Sequence, residues 1–224
     1  MAIALVVSDM AGTTIEDAGQ VPEAFESVLS RHGVTLTPRA LVAVRGASKR
    51  DAIRSLLRSS ATPQGELESR TERVYADFKD HLARVFGAGG VRPLPGAREA
   101  IDALRGRGIK VVLNTGFDRD TVRLILQAVG WEHGVADAVV CGEDVPAGRP
   151  APYMIFRAME LTGTLGVGEV ANVGDTTLDL EAGRNAGVAL NIGVLSGAHD
   201  RARLAGAPHT HIIDSVAALP GLLA

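Results

Sequence analysis

The stretch Ile3-Ala4-Leu5-Val6-Val7-Ser8-Asp9-Met10-Ala11-Gly12-Thr13-Thr14 begins apolar and then turns to a carboxylate, a glycine and two hydroxyls. An unbroken apolar run with a polar tip predicts a strand over residues 3–7 that is covered on both faces. The same signature recurs at 111–113, 139–140, 169–173, 188–194 and 211–213. Helix-like stretches at 97–107, 119–129, 152–161 and 177–186 lie between the later runs. Strand and helix therefore alternate from about residue 93, which requires crossover connections. The predicted fold is α/β: a doubly wound, Rossmann-like parallel sheet with helices on both faces.

Residues 16–91 interrupt the alternation. Segments 22–32, 38–44, 48–59 and 64–85 carry helical spacing, such as Ile53, Leu56 and Leu57, and none reads as a strand. The simplest account is an all-helical cap domain, residues 16–91, inserted into a core domain of residues 1–15 and 92–224. Segment 87–96, with four glycines and two prolines, suits the return linker.

Composition narrows the function. At 224 residues, 46% hydrophobic and 22% charged, the chain has the make-up of a globular protein. A single cysteine, Cys141, excludes an internal disulfide and a multi-cysteine zinc module. The apolar run at 2–7 is too short to span a bilayer and follows no basic region, so a cytoplasmic location without a membrane partner is expected. A net charge of -3 with 4% aromatic residues argues against nucleic acid. A small-molecule partner is left. Of 23 basic residues only Lys49, Lys79 and Lys110 are lysines, so each stands against a bias toward arginine.

In open α/β sheets, ligands bind beyond the carboxyl ends of the strands. Those positions hold Asp9 and the threonines after it, then Asn114, Thr115 and Gly116, then Glu143, Asp144, Gly148 and Arg149, and finally Asp175 to Asp179. One aspartate after a strand serves equally well as a helix N-cap. Several acidic tips with a threonine and a guanidinium along one edge suit phosphoryl transfer instead. Clustered carboxylates hold a hard cation, Mg2+ best, while cations and amides neutralise phosphoryl oxygens and a further carboxylate acts as nucleophile. No G-x-x-x-x-G-K-[ST] loop is present, and no G-x-G-x-x-G opens a helix after a strand.

Asp9-Met10-Ala11-Gly12-Thr13-Thr14, Asn114-Thr115-Gly116, Asp144-Val145-Pro146-Ala147-Gly148-Arg149-Pro150 and Val173-Gly174-Asp175-Thr176-Thr177-Leu178-Asp179 resemble the four motifs of the haloacid dehalogenase (HAD) superfamily. Within it they are most similar to the phosphonatases, or phosphonoacetaldehyde hydrolases, and the likeness covers nearly the whole chain, including the helical cap. By that resemblance Asp9 is the nucleophile and a Mg2+ ligand, the Ala11 carbonyl and Asp175 complete the protein's ligands, and Asp179 supports them from behind. It gives Gly12, Thr115, Gly116 and Arg149 to the phosphoryl group, Arg149 standing where most of the superfamily has lysine. It also implies a homodimer paired through the caps.

Ordinary phosphatases of the superfamily carry a second aspartate where this chain has Ala11, and it protonates the departing alkoxide. Phosphonatases use a cap lysine that condenses with the substrate aldehyde, so that carbon departs as an enamine. Lys49, within Arg45-Gly46-Ala47-Ser48-Lys49-Arg50-Asp51, matches that lysine. The expected activity is Mg2+-dependent hydrolysis of a small phosphonate, of phosphonoacetaldehyde type, through an aspartyl-phosphate and a cap-lysine imine. Three readings of Lys49 stay open: the imine former, an anion grip in a phosphatase of small monoesters such as phosphoglycolate, and a solvated surface charge. A non-catalytic metabolite-binding protein is the remaining class.

The chain departs from phosphonatases at Ala52, where they have histidine, at Arg45, where they have methionine, and at Phe117, where they have tyrosine. Ala52→His is expected to raise turnover of phosphonoacetaldehyde. Arg45 is expected to lower the pKa of Lys49 by like-charge repulsion, or with it to clamp a carboxylate or second phosphate on the substrate. His199, His209, His211, Cys141 and Trp131 read as structural, and Arg50, Arg54 and Arg58 as a solvated helix face.

Overall fold

The apolar runs become strands because both of their faces are covered, and the computed structural model, which describes residues 2–87 and 89–224, shows how. Strands β1 (Leu5–Asp9), β2 (Lys110–Asn114), β3 (Ala138–Val140), β4 (Val170–Gly174), β5 (Leu190–Val194) and β6 (His211–Ile213) form one sheet. Its order is β3-β2-β1-β4-β5-β6, and every pairing is parallel. β1 is central, and crossovers run outward from it in both directions. That reversal opens a crevice at its carboxyl end.

The first four of the five helices between β1 and β2 are α1 (Gln20–Arg31), α2 (Pro38–Ala43), α3 (Lys49–Ser59) and α4 (Leu67–Gly87). They form the helical cap. Burial of Ala24, Phe25, Val28 and Leu29 on α1, of Ile53, Leu56 and Leu57 on α3, and of Val74, Phe78 and Leu82 on α4 follows the helical period. The rings of Phe25 and Phe78 pack with centroids 4.6 Å apart. Arg50 and Arg54 lie on a solvent-exposed face, as expected, and there both also reach from α3 to carboxylates of α4: Arg50 donates to Glu72 at 2.6 Å and also pairs with Glu68, and Arg54 pairs with Glu68 at 3.5 Å. The chain leaves and re-enters the core along paired linkers. Glu16 N–H donates to the Arg92 carbonyl and Leu94 N–H to that of Thr14, each at 2.9 Å.

Beyond the cap, α5 (Ala97–Gly106) and α6 (Arg119–Ala128) cover one face of the sheet, packing Ile101, Leu104, Val122 and Ile125 with Val6, Val111 and Leu113. α7 (Tyr153–Thr162) and α8 (Thr177–Ala186) cover the other, packing Met154, Ile155 and Ala182 with Leu5, Val7 and Val112. The short α9 (Arg201–Ala205) and α10 (Leu219–Leu222) were not expected from the sequence. α9 is set by its Asp200 cap, whose side chain accepts from Arg203 N–H at 2.8 Å. No helix among the described residues is long and apolar enough to cross a membrane.

One boundary matters for function. β1 ends two residues later than its apolar run, because Asp9 still pairs with Asn114 of β2 in the ladder. Asp9 is therefore held by the sheet rather than by a loop.

Candidate active site

Asp9 ends β1, and Asp175 directly follows the neighbouring β4, so two carboxylates meet at the crevice. Both are buried. Arg149 enters from the loop after β3 and bridges the floor, pairing with Asp9 at 2.7 Å and with Asp179 at 2.9 Å. Its guanidinium also donates to Asn114 Oδ1 at 2.8 Å. Asp179 is held in turn by the Thr176 N–H at 3.0 Å, as part of the box that caps α8. Asp175 accepts from Ala198 N–H at 2.7 Å and from the Thr13 hydroxyl at 3.3 Å. Burial pushes the Asp9 carboxyl up to about 6, Arg149 opposing and Asp179 adding to the rise. Asp175 is also raised, by burial and then by the charges of Asp9 and Asp179.

Like charges held together in a dry place fit a hard cation. Asp9, Ala11 and Asp175 line one cavity of about 60 Å3, and Mg2+ commonly takes one or two carboxylates and keeps several waters. Among the described residues no group of three or more His, Cys, Asp or Glu side chains could hold a metal. An ion here would thus take two carboxylates, with the Ala11 carbonyl and water as its other ligands.

Thr115 and Gly116 follow β2 and line the same cavity. Thr115 Oγ1 accepts from Phe117 N–H at 3.2 Å. Gly12 departs from the expected phosphoryl contact. Its N–H donates to the Ile15 carbonyl at 2.7 Å, and it does not line the cavity. At φ +84, with an added Cβ only 2.5 Å from Asp175 Oδ2, glycine is required there to let the chain pass Asp175. Of the acidic groups expected after β3, Glu143 accepts from Arg119 N–H and Asp144 pairs with the Arg119 side chain, so neither joins the floor.

The cap reaches this floor through the turn between α2 and α3. Ser48 caps α3, its hydroxyl accepting from Asp51 N–H at 3.2 Å, which makes Lys49 the first residue of the helix. Lys49 N–H donates to the Gly116 carbonyl at 3.0 Å. A Cβ on Gly116 would collide with the Ala47 carbonyl, so this close approach of two backbones requires glycine. Lys49 lines the cavity with Asp9, and its Nζ lies 4.7 Å from the centroid of the buried Phe117 ring. The reading of Lys49 as a solvated charge is therefore overturned. Burial lowers its pKa, Asp9 opposes and Arg149 adds to the lowering. Its place at a helix N-terminus disfavours the ammonium form as well. Arg45 is not among the main causes, contrary to the like-charge expectation, although it lines the same cavity.

Ala52 is buried among the apolar residues of the cap and does not line the cavity. A histidine there would meet packed side chains, which corrects the expectation that Ala52→His improves the site. Cys141 is fully buried and burial pushes its thiol up to about 12, so it is inert. His199 is buried with Nδ1 accepting from Thr177 N–H at 3.1 Å. Sequence reasoning missed Asp17 and Ala198, and it placed Thr13 and Thr176 at strand ends without giving either a role. Asp17, Thr176 and Ala198 line the cavity, and the loop after β5 that carries Ala198 could have been found because it lies at the same sheet edge.

Comparison with known proteins agrees with this architecture. A family model for haloacid dehalogenase-like hydrolases matches residues 3–187. A phosphonoacetaldehyde hydrolase of Bacillus cereus is 32% identical over 210 residues, covering 89% of this chain and 78% of that protein. Among solved structures, a phosphonoacetaldehyde hydrolase-like protein from Oleispira antarctica aligns with a TM-score of 0.85 at 24% identity, covering 100% of this chain and 92% of that one. A predicted phosphoglycolate phosphatase from Haemophilus somnus aligns at 0.78 and 19% identity, covering 99% and 98%. At these identities the two structures speak for the fold alone.

Proposed function

We propose, from the premise that this chain belongs to the haloacid dehalogenase-like hydrolases, that it cleaves the carbon–phosphorus bond of a small carbonyl phosphonate with Lys49 as an imine-forming residue. The observation that carries the reading is the presence of the Lys49 amine in the cavity of Asp9, close to the Phe117 ring and with a lowered pKa. A lysine in that state has free amine to attack a carbonyl. Ala11, in the same cavity, supplies no acid for an alkoxide leaving group, which disfavours a phosphate monoester.

The neutral Lys49 amine adds to the substrate carbonyl, and with uptake of one proton from solvent water leaves, giving a protonated imine. An Asp9 oxygen then attacks phosphorus. As that P–O bond forms, the C–P bond breaks and its electron pair flows into the imine, producing an enamine. Water attacks phosphorus, releasing phosphate and restoring Asp9. The enamine takes up a proton on carbon, and hydrolysis of the resulting imine frees Lys49 and the carbonyl product. Arg149, Thr115 and the Gly116 N–H hold phosphoryl oxygens. Mg2+ on Asp9, Asp175 and the Ala11 carbonyl would supply neutralisation of phosphoryl charge. Cap residues pressed on the floor exclude bulk water from the imine. A homodimer through the cap and a cytoplasmic location complete the reading, both resting on the family resemblance and composition.

The test is release of phosphate and acetaldehyde from phosphonoacetaldehyde with Mg2+, in wild type and Lys49→Arg. Matched release in wild type, lost by about 100-fold or more in the variant, together with borohydride labelling at Lys49, is expected. Turnover retained by Lys49→Arg would sink the imine and leave Lys49 as an anion grip.

A further inference from the structure

The charges lining the cavity do not all find partners. Arg149 is satisfied by Asp9 and Asp179. Asp175 is held by Thr13 and Ala198, and Asp17 accepts from Gly19 N–H at 3.2 Å. The reading proposed above consumes the Lys49 amine in the imine. Arg45 remains, and among the described residues its side chain makes no ion pair or hydrogen bond, although it lines the cavity.

Its surroundings limit what it can bind. Val21, Phe25, Leu41 and Val44 form an apolar wall from α1 and α2 beside it. Arg45 also faces the core: burial, then Arg203 and Arg45, push His199 down to about 4. Arg45 is part-exposed and shares the cavity with this apolar wall and with the floor to which the phosphoryl group is assigned, so it is placed for the far end of a bound substrate. It offers a planar fork that matches a carboxylate in two parallel hydrogen bonds. One unpaired positive charge balances one carboxylate, whereas a second phosphate dianion would leave charge uncompensated beside apolar side chains.

We propose that Arg45 is a specificity residue and that the substrate is a carbonyl phosphonate bearing a carboxylate next to the carbonyl. This rests on the carbon–phosphorus cleavage assigned above and adds that Lys49 takes the carbonyl while Arg45 takes the carboxylate four positions away in sequence. The overall reaction balances as a β-carbonyl phosphonate and water giving phosphate and a 2-oxo acid.

Binding tests the proposal apart from turnover. 3-Phosphonopropionate carries phosphonate and carboxylate at the required spacing without a carbonyl, and propylphosphonate matches its length without the carboxylate. In the full-length protein with Mg2+, calorimetry is expected to give tighter binding of the carboxylate by roughly 10- to 100-fold. That ratio should fall toward one in Arg45→Met and Arg45→Gln and be kept in part by Arg45→Lys. A ratio near one in wild type, or unchanged in the variants, overturns the proposal even if phosphonoacetaldehyde is cleaved. In parallel, phosphate release from 3-phosphonopyruvate is compared with that from phosphonoacetaldehyde. Preference for the former, reduced in both neutral variants, supports the full proposal. Carboxylate-selective binding with no release from either substrate keeps the Arg45 grip but removes the cleavage reading and the substrate class built on it.

Discussion

The core and the cap supply charge to one cavity in opposite ways. On the core floor, Asp9, Arg149, Asp179 and Asp175 hold one another through buried ion pairs and hydrogen bonds, each with at least one protein partner. On the cap, Lys49 and Arg45 enter without ion pairs, and what fixes their turn is backbone, through the Gly116 carbonyl and the Ser48 cap. Buried charges must be paired or they cost several kcal/mol each, on the order of the whole margin of stability. The floor is preorganised at that cost, as electrostatic catalysis at phosphorus requires. The cap cations, more open to solvent, keep their free valences for a ligand. The floor thus carries chemistry that any substrate would need, and the cap carries the choice of substrate.

The largest blow to this division would come from the floor. Asp9→Asn is expected to reduce phosphate release by roughly 10,000-fold or more, the scale of losing a nucleophile, and substantial residual turnover would remove Asp9 from the chemistry. Gly116→Ala attacks the joint between the two regions. By forcing the Ala47 carbonyl away, it should lower kcat by about 100-fold through misplacement of Lys49, with the circular dichroism spectrum unchanged. Activity close to wild type would mean that the cap turn does not need its backbone contact.

Stability sharpens the comparison at smaller scale. With the folded Asp9 carboxyl near 6 against its ordinary 3.8, the folded state binds a proton between those values that the unfolded chain has released. Metal-free protein therefore loses stability as pH rises from about 3.8 through about 6. Asp9→Asn lacks that loss, so its Tm relative to wild type should rise between pH 4 and pH 7 in the absence of metal. A constant difference would mean that Asp9 is not strained on the floor. Ala52→His should cost about 1–3 kcal/mol through overpacking, read by urea denaturation, and bring no gain in turnover. A neutral effect with faster turnover would restore the idea of a proton carrier at this position.

The strands, the four cap helices and the loops that bear the site were legible because each rests on local pattern. Apolar runs demand cover on two faces, helical spacing demands one buried stripe, and chemistry-bearing residues cluster at strand ends. Asp9, Asp175, Arg149 and Lys49 were found this way or by likeness to known motifs, and all line one cavity. Ala198 was missed, and Thr13 was given no role of its own, because a backbone N–H and a hydroxyl show no particular partner until folding brings them to Asp175.

By itself, then, the sequence determined the class of fold, the inserted helices and the residue types at the crevice, since periodicity and composition act over short distances along the chain. Tertiary structure alone decided which charges are paired and which are free. It showed that Gly12 makes way for Asp175, that Ala52 is locked in the cap, that Arg50 and Arg54 join two helices, and that Arg45 is left unpaired at the cavity. The physical reason is that pairing and burial depend on distances between segments far apart in the chain, and those distances exist only after the sheet has formed and the cap has folded down on it.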